Sequence, residues 1–226
     1  MRNALLGLAA VALVGLGLTT VAQTDAVTIP APAVDAALAT SGAPSRTAVV
    51  AGGCFWGIQA VYQHVRGVKT AVSGYAGGVA SGAHYEVVGT GTTGHAESVE
   101  VTYDPSRVTY GQLLRVFFSV AHDPTTLNRQ GPDHGTQYRS AIFFTNTEQE
   151  NIARAYIAQL DKAHVFHDAI VTQLTKLPAF YAAEDYHQDY ATRHPTDPYI
   201  VINDAPKVAN LRKFFPDLYI AKQLPD

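Results

Sequence analysis

A second cysteine is missing. Cys54 is the only one in 226 residues, so no disulfide can form within the chain. Exported proteins ordinarily use cysteine in pairs, which sets this lone thiol apart from a structural framework. Met1 is likewise the only methionine, leaving the rest of the chain without that oxidisable side chain. Charge is sparse too: charged residues make up 15%, with 16 Lys and Arg against 19 Asp and Glu, for a formal net charge of −3. That balance excludes a basic face for nucleic acid and a polybasic membrane patch. No internal repeat is visible. Hydrophobic residues, at 47%, are plentiful enough for a buried core and argue against wholesale disorder.

What is present is unevenly distributed. Arg2 precedes a charge-free run from Ala4 to Ala22, rich in Leu, Val, Ala and Gly. Thr20-Val21-Ala22 then offers the small residues that a signal peptidase accommodates, with Gln23 next. Residues 1–22 are expected to be a signal peptide that exports the chain, in a bacterium to the periplasm. An uncleaved membrane anchor is the alternative, because the run is long enough to span a bilayer. No cysteine follows the run, which excludes a lipoprotein anchor on that residue. Residues 23–45 are rich in Ala, Pro, Thr and Ser. They lack the large side chains that offset ordering entropy and are expected to be a flexible linker, with the domain beginning near Arg46.

The domain alternates strand and helix patterns. Thr47 to Ala51 reads as a buried strand ending in the turn Gly52-Gly53, and Ile58, Val61, Tyr62 and Val65 mark one face of a helix that Gly67 stops. Val68 to Tyr75 predicts a strand, followed by a glycine-rich loop, a strand at Ser98 to Tyr103, and a helix capped by Thr109. A loop over 122–136 leads to a strand at 138–145, and Thr147-x-x-Glu150 predicts a capping box for a helix to Ala163. Ala169 to Lys176 reads as a last strand and Lys207 to Phe215 as a terminal helix. The expected fold is α+β: a two-layer α/β sandwich with a mixed sheet and a ferredoxin-like core.

Cys54 falls between the glycine turn and the first residue of a helix. Unpaired N–H groups at a helix start stabilise a thiolate, the nucleophilic form. An inert buried cysteine is the alternative. Phe55 and Trp56 follow directly, and adjacent helical residues do not share a face, so one of them is expected to line a pocket.

Gly53-Cys54-Phe55-Trp56-Gly57 resembles the signature of the peptide-methionine (S)-S-oxide reductases, the A-type methionine sulfoxide reductase family. Four more blocks follow in family order: Gly67-Val68 with Ser73 to Gly78, Tyr85 with Gly91 to Glu97, Asn128 to Ser140, and Ala183 to Gln188. The resemblance covers the domain expected over 46–218. It implies that Cys54 is the nucleophile and Glu97 the acid that protonates the sulfoxide oxygen. Tyr85 and Tyr138 match phenols that hydrogen-bond that oxygen, and Asp133 matches a carboxylate that helps to orient the substrate. Phe55 and Trp56 match the apolar cage for the methyl group on sulfur. The implied activity is thiol-dependent reduction of methionine S-sulfoxide through a sulfenic acid, repairing oxidised proteins and peptides.

The sequence departs from many relatives in one respect: the tail, residues 219–226, carries no resolving cysteine. Oxidised Cys54 must then be reduced from outside, by a thioredoxin-like protein or a small thiol. No bound cofactor or metal is expected. His164-x-x-His167 invites a metal reading, but nothing completes the ligand set, and His187 is assigned a structural role. The chain is expected to act as a monomer. A cysteine hydrolase remains a rival reading, though nothing in the sequence nominates its histidine, and an exported binding module on the same fold is a second.

Overall fold

The computed structural model describes residues 26–221. The leader expected over 1–22 and the last five residues of the tail lie outside the described residues. β1 (Arg46–Ala51) is buried from Ala48 onward. Its unbroken apolar run reflects burial on both faces: Ala48 and Val50 join the main core, while Val49 and Ala51 join a smaller cluster across the sheet. There follow α1 (Phe55–Gln63), β2 (Val68–Ala76), the single-turn α2 (Tyr85–Val88), β3 (Ala96–Tyr103) and α3 (Tyr110–Val116). A small ribbon of β4 (Arg129–Gln130) and β5 (Asp133–His134) leads to β6 (Ala141–Phe144) and α4 (Thr147–Lys162). Then come β7 (Gln173–Lys176), β8 (Phe180–Ala182), the short α5 (Tyr190–Arg193) and α6 (Ala205–Phe214).

Six strands form one sheet in the order β7-β6-β1-β3-β2-β8. Only β6 and β7 pair in parallel, so the sheet is mixed. Its centre, β6-β1-β3-β2 with helices in the β1-to-β2 and β3-to-β6 connections, is the expected ferredoxin-like arrangement. The helices cover one face, where Ile58, Val61, Leu113, Phe117, Ile152 and Tyr156 enclose the main core with Val99 and Val101 of β3.

Local details differ from the sequence reading for identifiable reasons. Thr109 caps α3 in a full capping box with Gln112, as expected. The predicted box at α4 begins one residue too late: Asn146 is the cap, its side chain accepting from the Gln149 amide at 3.0 Å. β6 begins only at Ala141, because Tyr138 closes a tight turn over Thr136–Tyr138. β8 is three residues paired to β2, two half-buried and Ala182 exposed, and gives no alternation to read. His164 and His167 lie beyond the end of α4.

The flexible linker expected over 23–45 is corrected for residues 26–45. They form no regular element, yet they are fastened to the helical layer. Ile29 is 2% exposed within the main core, and its carbonyl accepts from Arg115 Nε at 3.1 Å and Nη2 at 2.9 Å. The Tyr156 hydroxyl donates to the Pro30 carbonyl at 2.7 Å. The Asp35 carboxylate accepts from the Gly111 amide at 2.8 Å and from the Thr109 hydroxyl. One apolar anchor and several directional bonds offset an ordering cost that composition alone said would not be met. Ile29→Ala is therefore expected to cost about 2–4 kcal/mol in urea unfolding; a loose linker would lose less than about 0.5 kcal/mol.

Candidate active site

The site is built where β1 runs into α1. Gly53 takes φ +98°, a left-handed conformation that favours glycine. A side chain on it would also meet Gln130 at 2.6 Å, and one on Gly52 would meet His122 at 2.7 Å. The two glycines thus let the β4–β5 ribbon and the His122 loop close over the turn. Cys54 occupies the N-cap of α1 and is buried.

Burial corrects the expectation of a stabilised thiolate. Desolvation raises the Cys54 pKa well above that of an ordinary thiol, and the carboxyls of Glu97 and Asp204 push it further. The Trp56 amide and the Lys207 ammonium act in the opposite sense and do not outweigh them. The helix-start N–H therefore contributes as read from sequence, but burial wins, and Cys54 rests as a thiol.

Glu97 lies in β3, cross-strand from Tyr75, and is 3% exposed. Its Oε2 accepts from the Phe55 amide at 3.1 Å, directly beside the thiol. Burial raises its pKa to about 8; the Phe55 amide opposes this, while Asp133 and Asp204 add to it. A carboxyl that keeps its proton at neutral pH is an acid poised to give it away.

Each remaining predicted residue reaches the same place from a different element. Tyr85 opens α2, which is anchored by its own amide donating to Glu184 Oε1 at 3.0 Å. Glu184 Oε2 accepts in turn from the Tyr75 hydroxyl at 2.8 Å. Tyr138 is held by a loop stitched to the glycine-rich segment: Thr136 Oγ1 donates to Gly91 O at 2.6 Å and Arg139 Nη2 to Gly94 O at 2.8 Å. Burial, followed by the nearby Glu97 charge, raises the pKa of Tyr85 to about 12 and that of Tyr138 further, so both phenols stay protonated. Asp133, on β5, accepts from the Tyr199 hydroxyl and is raised by burial. Tyr138 lies within reach of the charges of Glu97, Asp133, Cys54 and Tyr85, Tyr85 within reach of those of Glu97 and Cys54, and Glu97 within reach of that of Asp133. Phe55 is fully buried under Tyr75, at 5.9 Å between ring centres, whereas Trp56 is half-exposed and stacked on Tyr190 at 3.8 Å. Of the two aromatics, Trp56 is the one that solvent reaches.

Sequence reasoning missed several neighbours. Tyr199 clamps Asp133, and Asp204 forms a buried ion pair with Lys207 at 3.1 Å. Their i,i+3 spacing was legible as a pair on one helix face, but nothing announced its burial. A side chain at Gly57 would meet Asp204 Oδ1 at 2.0 Å, so the glycine of the Cys54 segment is what lets the pair seat against α1. The charged groups that act most on the thiol are Glu97, Asp204 and Lys207. Among the described residues, no cluster of three or more His, Cys, Asp or Glu is arranged to hold a metal.

Residues 46–218 match the family model described as peptide methionine sulfoxide reductase. The chain belongs to this family. As a peptide methionine sulfoxide reductase of the MsrA type, it is 65% identical over 178 residues to MsrA 2 of Mesorhizobium japonicum, covering 79% of this chain and 91% of that one. It is 50% identical over 190 residues to MsrA 2 of Synechocystis, with 84% and 89% covered. Its fold matches methionine sulfoxide reductase A of Corynebacterium diphtheriae at TM-score 0.59 and 35% identity, over 77% of this chain and 90% of that one. Reduced Mxr1 from Saccharomyces cerevisiae matches at TM-score 0.62 and 33% identity, over 70% and 91%. The chain is thus an oxidoreductase whose family reduces methionine sulfoxide.

Proposed function

We propose that Cys54 reduces the S epimer of methionine sulfoxide, peptide-bound and free, and becomes a sulfenic acid in doing so. The observation that carries this reading is a buried thiol beside a buried carboxyl that holds its proton to about pH 8. Sulfoxide oxygen leaves sulfur only when protonated, and Glu97 supplies that proton. Cys54 Sγ attacks the substrate sulfur while Glu97 protonates the oxygen, and the thiol proton restores Glu97. The attack forms an Sγ–S bond; as the oxygen passes as hydroxyl from the substrate sulfur to Sγ, that bond and the sulfoxide S–O bond break and an Sγ–O bond forms. Methionine sulfur gains the two electrons that Cys54 sulfur loses, so the step closes without another reactant.

Tyr85 and Tyr138 donate to the oxygen as charge gathers on it, and Asp133, held by Tyr199, helps to orient the substrate. Phe55 and Trp56 form the apolar wall for the S-methyl group. Two equivalents of external thiol, from a thioredoxin-like protein or a small molecule, then return Cys54 as thiol and release water and a disulfide. Residues 1–22, read as an export leader or uncleaved anchor, put this monomeric enzyme in the periplasm, repairing oxidised proteins there. The test is steady-state turnover of the two epimers of N-acetyl-methionine sulfoxide with dithiothreitol. Consumption of S alone supports the reading; consumption of neither epimer, or of both equally, overturns it.

A further inference from the structure

Trp56 is the only tryptophan in the chain. A wall that selects by shape has to be held in place. Its face is stacked on Tyr190 at 3.8 Å and 11°, and Tyr199 meets it edge-on at 5.9 Å and 86°. Ring contacts of this kind confine a plane without fixing rotation within it. One directional contact does fix it: the indole Nε1–H donates to His187 Nδ1 at 3.2 Å.

His187 is itself immobilised. It is 2% exposed, with ring centres of Tyr186 at 4.2 Å, Tyr85 at 4.3 Å and Phe55 at 5.1 Å. Its amide donates to the Glu184 carbonyl at 2.9 Å, and the Glu184 carboxylate holds Tyr75 and Tyr85. An Nδ1 that accepts is unprotonated, so the neutral ring carries its hydrogen on Nε2. That nitrogen is buried and has no hydrogen-bond partner in the described structure. An unpaired buried donor lowers stability, so packing alone does not account for an imidazole here, whereas its acceptor at Nδ1 has a defined job.

We infer that His187 is a positioning residue that fixes the indole of Trp56 and thereby sets affinity for the sulfoxide without touching the reacting atoms. The inference rests on the reading of Trp56 as a wall of the substrate site. His187→Leu is expected to raise KM for N-acetyl-methionine S-sulfoxide about tenfold while kcat changes less than about threefold. The emission of the sole tryptophan should shift to the red and lose anisotropy. His187→Asn, whose side-chain oxygen falls near Nδ1, should restore KM and emission, and His187→Gln, whose acceptor lies farther out, should not. In a Trp56→Phe background, which removes the N–H but keeps a ring, His187→Leu should add nothing further to KM.

If His187→Leu does not fold, the Asn and Gln pair carries the same comparison. An equal KM rise in the Trp56→Phe background, or wild-type KM and emission in the Leu and Gln variants, overturns the inference. Emission is read without turnover: a wild-type chain that reduces no sulfoxide overturns the functional reading itself, whatever the emission does.

Discussion

Glu97→Gln is expected to slow sulfoxide reduction about 10²–10⁴-fold, the range a positioned general acid contributes. Glutamine keeps the acceptor for the Phe55 amide and the shape of the site, so the loss reports the proton and not the packing. The pH dependence carries the sign. With its pKa at about 8, Glu97 is protonated at neutral pH, and wild-type activity falls as pH rises through that value. In the Gln variant that descending limb disappears. Stability carries a matching signature. The folded carboxyl keeps its proton to about pH 8, while an unfolded glutamate releases it near about 4.3. Between these values the native state binds more protons than the unfolded state, so stability declines with rising pH across that window. Urea midpoints of the wild type should fall from pH 5 to pH 8 by more than those of Glu97→Gln. Equal slopes and an unchanged rate would remove Glu97 from the reaction.

Cys54→Ser should abolish turnover, by at least about 10³-fold. The reason is chemical as well as kinetic. A serine hydroxyl is the weaker nucleophile, and to take up the sulfoxide oxygen it would have to form a peroxide, whereas sulfur forms a sulfenic acid. No second thiol exists to stand in, because the chain has one cysteine. Residual single-turnover reduction by the Ser variant, measured without reductant, would contradict the assignment of the nucleophile.

Much of this was legible in the sequence, and the gaps have physical causes. The β1 run, the Gly52-Gly53 turn and the Thr109 cap are local signals, and each produced the expected element. The direction of the Cys54 shift was misread because the helix start is a local feature, while desolvation and the Asp204 and Glu97 carboxyls come from distant parts of the chain. The burial of Glu97 could not be read from its own strand; it is fixed by the distant Cys54 turn, whose Phe55 amide binds its carboxyl. Residues 26–45 look unstructured by composition, since a single isoleucine and a few backbone acceptors do the anchoring. The trapping of Trp56 by His187 joins residues 131 apart in sequence, with no periodicity connecting them.

The most direct measurement of the central claim is a single turnover of the pre-reduced chain on N-acetyl-methionine S-sulfoxide without added thiol. Methionine released is counted, and Cys54 is then trapped with dimedone and mapped by mass spectrometry. The account predicts about one methionine per chain and a dimedone adduct on Cys54, both absent from Cys54→Ser. Methionine formed with Cys54 left unmodified, or no methionine at all, would contradict it.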